Sequence, residues 1–296
     1  MELRQLKQVV VLSQTLNFHR AAEQLHMAQP PLSASIRKLE EELGVALFER
    51  RPRALRVTAA GEIVLQHARR ALADVDEIQR AARECAGGEQ GRLVVAFVGT
   101  ASVTLLPRLI PAFRERYPRV ELVLQESTTQ EMLRRLERRE IDAALLRTPV
   151  LEPTRAALTP LERDHWLVAV HARSRWAQRD RISLQELADE PFIVQSPSVV
   201  PAMHTLVRLA FDHAGIHPPI AQEVVQVQTQ LALVESGLAV ALVPAVARHQ
   251  AGDGVRLLPV ADMPEALAVG IALAVDAQAP SAAARRLVEV AQALAG

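Results

Sequence analysis

Between residues 29 and 43 the side chains sort into two classes. Leu32, Ile36, Leu39 and Leu43 recur at spacings of four, three and four, which makes one stripe of a helix. The other side carries Gln29, Ser33, Ala34, Ser35, Arg37 and Lys38. Short polar side chains near a helix start can approach base edges in the DNA major groove, and the cations can reach phosphates. A second chemistry is spread over the rest of the chain. Gly99-Thr100-Ala101-Ser102, Ser127-Thr128-Thr129 and the run from Ser196 to Pro201 each place hydroxyls where a strand gives way to a helix. Hydroxyls and free N–H groups at a helix amino terminus together hold small anions. Each run alone reads as simple N-capping; three of them facing one cleft would make a ligand site. Arg147 ends a strand beside Thr148-Pro149, where an arginine is either solvated or turned toward an anion.

Catalytic chemistry finds no comparable support. The nine histidines are scattered. His165 and His171 stand at either end of one strand, and His213 and His217 bracket Gly215 rather than sharing a helical face. His-Glu-x-x-His, Cys-x-x-Cys, P-loop and nucleophile-elbow patterns are all missing. Glu140 and Asp142 flank a strand without an evident partner base. No catalytic residue, metal ligand or cofactor is expected, only a small-molecule effector. The single cysteine, Cys85, allows no intramolecular disulfide and suits a reducing cytosol. Lys plus Arg and Asp plus Glu both number 34, so a DNA-binding chain must concentrate its positive charge locally. No charged-then-apolar signal precedes the first helix and no apolar run is long enough to span a bilayer, so a soluble cytoplasmic protein with no membrane partner is expected.

The elements that must position these residues begin with a helix over residues 2–16, with Leu3, Leu6, Val10 and Leu16 as its expected inner face. Ala21, Ala22 and Leu25 share one face of a short second helix. Met27-Ala28-Gln29 is a tight turn, and Pro30 and Pro31 are tolerated only in the first turn of the next helix. Helix, turn and helix with small residues at the crossing is the geometry that lays a second helix in the major groove. Gly44 stops that helix. Residues 45–58 read as two short strands around a proline turn, with Arg50, Arg51, Arg53 and Arg56 against Glu49. A cationic hairpin beside such a pair is a wing that touches the DNA backbone or the minor groove.

Thr58 is a good N-cap and Glu62 places negative charge in the first turn of a helix running from 59 to 86. Val64, Ala68, Ala71, Val75, Ile78 and Ala82 follow a heptad seam, widened by Leu65 and Leu72, which predicts a dimerising linker helix. A dimer also matches inverted DNA half-sites. Gly87-Gly88-Glu89-Gln90-Gly91 reads as a hinge. Beyond it, apolar strands over 93–98, 120–124, 141–146, 166–170, 192–194, 223–225, 240–243, 255–260 and 267–275 alternate with helices over 100–117, 129–139, 203–214 and 229–235, and Ser281 caps a final helix. This predicts parallel sheets covered on both faces.

Ala21-Ala22, Gln29-Pro30-Pro31-Leu32-Ser33, Leu39-Glu40, Leu43-Gly44, Leu47-Phe48-Glu49-Arg50 and Thr58-Ala59-Ala60-Gly61, in that order and spacing, resemble the amino-terminal domain of LysR-type transcriptional regulators. The segments FVGTASVTLLPRLIPAFRERYP, IDAALLR, LVAVH and VQVQTQLALVESGLAVALVP resemble the effector domain of members that respond to benzoate, muconate and chlorocatechols. The resemblance implies a multidomain chain. It would comprise a winged helix-turn-helix (all-α plus a small β wing) over 1–58, a linker helix and hinge over 59–90, and a two-lobed, periplasmic-binding-protein-like α/β effector domain over 91–296. Lobe I would take 91–162 with 265–296 and lobe II 163–264.

The likeness adds Arg20, Pro30 and Pro31 to the DNA face and Val227 to the effector cleft. It matches Thr100 and Thr128 to residues that hold an effector carboxylate, and Arg147 to one near a second pocket. Ala34 and Ser35 depart from the longer polar residues common in the family, and Ala239 stands where glycine is common. The expected partners are double-stranded promoter DNA, a small effector, further copies of the chain as a homodimer or homotetramer, and RNA polymerase. A cytosolic small-molecule binder without DNA activity, or an enzyme, is the alternative reading.

Overall fold

The computed structural model describes residues 1–51, 54–87 and 91–295, and of residues 50, 51, 54, 76, 77, 79–87 and 295 it describes the backbone alone. Pro52, Arg53 and the 88–90 part of the expected hinge lie outside the described residues, as do the side chains of Arg50, Arg51, Ala82 and Cys85.

The amino-terminal unit opens with α1 (Leu3–Thr15), α2 (Phe18–Gln24) and α3 (Gln29–Leu43). Asn17 caps α2 by accepting from the His19 and Arg20 N–H groups at 2.9 and 3.2 Å. Pro30 and Pro31 stand in the first turn of α3, where no intrahelical N–H is needed, and Gly44 ends it at φ 70°. Strands β1 (Phe48–Arg51) and β2 (Ala54–Val57) pair antiparallel. Glu40 of α3 ties the wing to the helix, accepting from the Leu47 and Phe48 N–H groups at 2.8 and 3.1 Å. The core joins Val9, Leu12, Ala21, Ala22, Leu32, Ile36, Leu39, Leu47, Phe48 and Leu65. The inner face of α1 differs from the expected one. Leu6, Val9 and Leu12 are buried, whereas Leu3 and Leu16 are exposed and Val10 is half-buried. The buried stripe takes in Gln5 and Gln8, whose polarity hid it.

Helix α4 (Ala59–Gly87) starts directly at the wing. Thr58 Oγ1 accepts from the Gly61 N–H at 2.9 Å and donates to the Ala46 carbonyl at 2.7 Å. Leu65 and Val64 pack into the unit's own core and Ala68 is buried. The first two seam positions therefore serve the winged unit itself. Ala71 and Val75 are half-buried and Ile78 is exposed.

The carboxyl-terminal unit contains two five-stranded sheets. Its elements run β3 (Gly91–Phe97), α5 (Ala101–Thr104), α6 (Leu106–Arg116), β4 (Val120–Glu126), α7 (Thr129–Glu137), β5 (Ala143–Thr148), β6 (Ala156–Asp164), β7 (Trp166–His171), β8 (Phe192–Gln195), α8 (Pro201–Ala214), β9 (Ile220–Val224), α9 (Val227–Glu235), β10 (Val240–Pro244), β11 (Val255–Pro259), β12 (Val269–Asp276) and α10 (Ala282–Ala295). The first sheet has the order β4-β3-β5-β12-β6 and the second β11-β7-β10-β8-β9.

The sheets are mixed rather than parallel. β3, β4 and β5 run parallel, but β12 is antiparallel to both β5 and β6. β8, β9 and β10 run parallel, but β7 is antiparallel to β10 and β11. The cause is that the chain passes between sheets twice, at His165 and again between β11 and β12, so its returning strands enter reversed. β6 was not expected at all. Pro160 and the polar Glu162, Arg163 and Asp164 mask it, and such residues are tolerated because β6 is an edge strand. The single helix expected over 100–117 is two, because Pro107 removes an intrahelical donor and resets the backbone after Thr104. Ser281 caps α10, its Oγ accepting from the Ala284 N–H at 3.2 Å. Ala239 has no positive φ; Gly237 carries it at 79°, and Ala239 packs with Leu231 and Val234.

Candidate DNA interface and ligand cavity

Gln29, Pro30, Pro31, Ala34, Arg37 and Lys38 are exposed on α3 and Ser33 is half-buried near its start. Arg20 is exposed on α2. The exposed face of α3 is thus polar at its amino-terminal end and cationic in its middle, opposite the buried Leu32, Ile36 and Leu39. Ser35, expected on the same face, is half-buried and has a partner within the unit. Its hydroxyl donates to Gln8 Oε1 at 2.6 Å, and Gln8 Nε2 donates to Met27 Sδ at 3.5 Å. A buried amide must find partners, so Gln8 takes the Ser35 hydroxyl into the packing of the unit.

In the carboxyl-terminal unit a cavity of about 60 Å³ lies between the two sheets' helix starts. From the first sheet come Gly99, Thr100, Ser127, Thr128, Thr129 and Arg147; from the second come Gln195, Val200, Met203, Gln226, Val227 and Pro244. Helices α7, α8 and α9 all begin at its wall and turn the positive ends of their dipoles toward it, and Thr128 Oγ1 accepts from the Glu131 N–H of α7 at 3.4 Å. Arg147 is 6% exposed. Its guanidinium donates to Thr100 Oγ1 and reaches Asp164 Oδ2 at 3.4 Å, while its backbone N–H donates to Thr129 Oγ1 at 3.2 Å. Burial lowers the Arg147 pKa below its ordinary value, and the attraction of Asp164 works against that shift. Asp164 in turn accepts from the Ala245 and Val246 N–H groups at 3.0 and 3.3 Å, so the pair ties β5 to the segment after β10. At the rim, Gln226 Nε2 donates to Glu126 Oε1 at 3.1 Å. Gly99 permits this approach, since a Cβ there would lie 2.8 Å from Glu126 Oε1.

Of the residues expected at the ligand site, Gly99, Thr100, Thr128, Arg147 and Val227 line this cavity. Ala101, Ser102, Ser196 and Pro201 do not. Ala101 is fully buried in the core beside it. Ser102 Oγ donates back to the Gly99 carbonyl at 2.6 Å, and Ser196 Oγ pairs with Ser198 Oγ at 3.0 Å, so both hydroxyls are engaged locally. The expectation missed Gln195, Gln226 and Met203. Nothing in the local pattern of a four-residue buried strand marks its last glutamine as part of a wall. A second, more open hollow of about 470 Å³ is lined by Arg147, Arg163, Arg248 and His249 together with Glu162 and Asp164. Among the described residues no group of three or more His, Cys, Asp or Glu is placed to hold a metal, and no helix is long and apolar enough to cross a membrane.

Comparison with known proteins agrees with this layout. The family described as "Bacterial regulatory helix-turn-helix protein, lysR family" matches residues 3–62, and "LysR substrate binding domain" matches residues 86–296. The sequence is 37% identical over 282 residues to the HTH-type transcriptional regulator IlvR of Caulobacter vibrioides, covering 95% of each chain. It is similar in structure to full-length CbnR solved with its target DNA, with a TM-score of 0.73 and 28% identity over 100% of both chains. It is also similar to the effector-binding domain of BenM solved with its effector benzoate, with a TM-score of 0.61, 29% identity, and coverage of 69% of this chain and 91% of that one.

Proposed function

The chain belongs to the LysR family of DNA-binding transcriptional regulators, not enzymes, and on that premise we propose how its parts divide the work. Residues 1–58 read DNA. The start of α3 enters the major groove with Gln29, Pro30, Pro31 and Ser33 nearest the bases, while Arg20, Arg37, Lys38 and the wing arginines Arg50, Arg51 and Arg53 hold phosphates. Residues 59–90 dimerise the protein through Ala71, Val75, Ile78 and Ala82, and two dimers form a tetramer on spaced half-sites. The protein works in the cytoplasm, where its effect on DNA bending alters RNA polymerase access.

Residues 91–296 bind a small anionic effector between lobe I (91–162 with 265–296) and lobe II (163–264). The observation that carries this reading is the convergence of three helix amino termini, the hydroxyls of Thr100, Thr128 and Thr129, and the buried Arg147 on one cavity. The benzoate bound by the BenM domain is a carboxylate and fits the same logic. The effector shifts the protein between two lobe arrangements by binding them unequally, and a few kcal/mol suffices.

Two substitutions separate the functions. Ser33→Arg places a bulky side chain at the groove-facing helix start and abolishes specific DNA binding, leaving effector affinity intact. Thr128→Val weakens effector binding at least ten-fold with DNA affinity preserved, and Thr128→Ser, which keeps the hydroxyl, restores it. Gel-shift titration and calorimetry read both; equal damage to both activities from either change would refute the division.

A further inference from the structure

The far wall of the cavity holds a hydrogen-bond acceptor with its polarity fixed and its partner missing. Gln195 and Gln230 are 2% and 0% exposed. Gln230 Nε2 donates to the Ile193 carbonyl at 3.1 Å, and a carbonyl can only accept. That bond settles which end of the Gln230 amide is oxygen. Gln230 Oε1 must therefore receive a donor, and it does so from Gln195 Nε2 at 2.8 Å. The relay leaves Gln195 with its oxygen as its remaining end. That Oε1 is buried, and no donor among the described residues reaches it. Gln195 belongs to the wall contributed by the second sheet, opposite Thr100, Thr128, Thr129 and Arg147 from the first. Its backbone is also held, since His204 Nδ1 donates to the Gln195 carbonyl at 2.8 Å.

A buried acceptor without a donor is unfavourable, and native proteins leave few of them. This one cannot reverse without breaking the hydrogen bond from Gln195 Nε2 to Gln230 Oε1. We propose that the effector is a compact hydroxylated carboxylic acid: its carboxylate is held on the Arg147 and threonine side, and its O–H donates to Gln195 Oε1. The inference rests on the cavity being the effector site and adds the chemical class of the ligand. A ligand with complementary groups at its two ends touches both lobes at once, so it stabilises the arrangement that brings them together. A simple carboxylate satisfies only one wall. Gln195 is thus a specificity-determining residue and Gln230 a positioning residue.

The test is calorimetric titration of the full-length protein with matched acids: lactate and 3-hydroxypropionate against propionate, and 4-hydroxybenzoate against benzoate. At least one hydroxylated acid should bind about 10- to 100-fold more tightly than its partner lacking the hydroxyl, because a site built to receive a donor discriminates against its loss. Gln195→Met should bring that acid down to the affinity of its partner while leaving the partner within about two-fold. Gln230→Met gives a second readout should Gln195→Met fail to fold. It frees the Gln195 amide to turn and should shrink the preference with both ligand-facing groups still in place.

Equal affinity for hydroxylated and plain acids, both weakened by Thr128→Val, would overturn the proposal and leave the effector site standing, with water satisfying Gln195. Retention of the preference in Gln195→Met would also overturn it. Binding of no acid, or binding that Thr128→Val does not touch, would overturn the site reading and this inference together.

Discussion

Lys38 is exposed on α3, five residues beyond the half-buried Ser33, and we assign it an electrostatic rather than an informational task. A lysine on a phosphate releases one counterion, so Lys38→Ala should lower the slope of log affinity against log salt by about 0.9 while leaving the order of preferred sites unchanged. Titration of one operator and one scrambled duplex at several salt concentrations measures both; a change in site preference with an unaltered slope would assign Lys38 to base reading instead. At this scale the sequence was informative where a side chain acts alone and silent where it acts in a pair. Arg37 and Lys38 are legible because an exposed cation on a helix needs no partner. The bond from Ser35 to Gln8 was not legible, because Gln8 lies 27 residues away and is a polar residue in an apolar stripe. Gln195 and Gln230 lie 35 residues apart on different elements, and nothing in either neighbourhood announces that their amides meet.

The junction between wing and α4 shows local chemistry at its most readable. Thr58 caps the helix as its type suggests, and Gly61, the one breaker in the run, has a reason to be glycine: a Cβ there would overlap the Leu47 carbonyl oxygen and come within 2.7 Å of Val57. Gly61→Ala improves helix propensity by about 1 kcal/mol, but overpacking against a backbone oxygen costs about 1–3 kcal/mol. The substitution should destabilise the amino-terminal unit by about 1 kcal/mol net, lowering its melting transition by about 4–8 °C in scanning calorimetry. A raised transition would mean that the wing is free to shift. Helix and strand positions in the carboxyl-terminal unit were mostly legible from apolar runs and capping residues such as Ser281 and Gly215. Strand direction was not. β12 reads as one more buried apolar strand, and only its return from the second sheet makes it antiparallel to β5. β6 was invisible because an edge strand needs no continuous apolar pattern.

For the whole molecule, the heptad pattern of α4 mixes two tasks. Val64, Leu65 and Ala68 are taken up within the winged unit, whereas Ile78 remains 67% exposed further along the helix. An exposed isoleucine in register with half-buried Val75 and Ala71 is the apolar surface that a second copy of the helix would cover. Replacing both Val75 and Ile78 by glutamate should convert the protein to monomers in sedimentation velocity. DNA affinity should drop by at least 100-fold, because each recognition helix then binds without its two-fold mate. A dimer that survives both charges would place the interface elsewhere.

On the proposed mechanism, occupancy of the carboxyl-terminal cavity by a small acid changes how the winged units hold DNA. The most direct measurement is footprinting of the full-length protein on DNA upstream of its own gene and of the divergent neighbour. It should be run with and without the panel of hydroxylated and plain acids, on the wild type and on Thr128→Val. The expected result is a long, interrupted footprint that shortens or shifts with one acid in the wild type and stays unchanged in Thr128→Val. No footprint at low salt from a folded dimer, or a footprint that responds identically in both proteins, would contradict it.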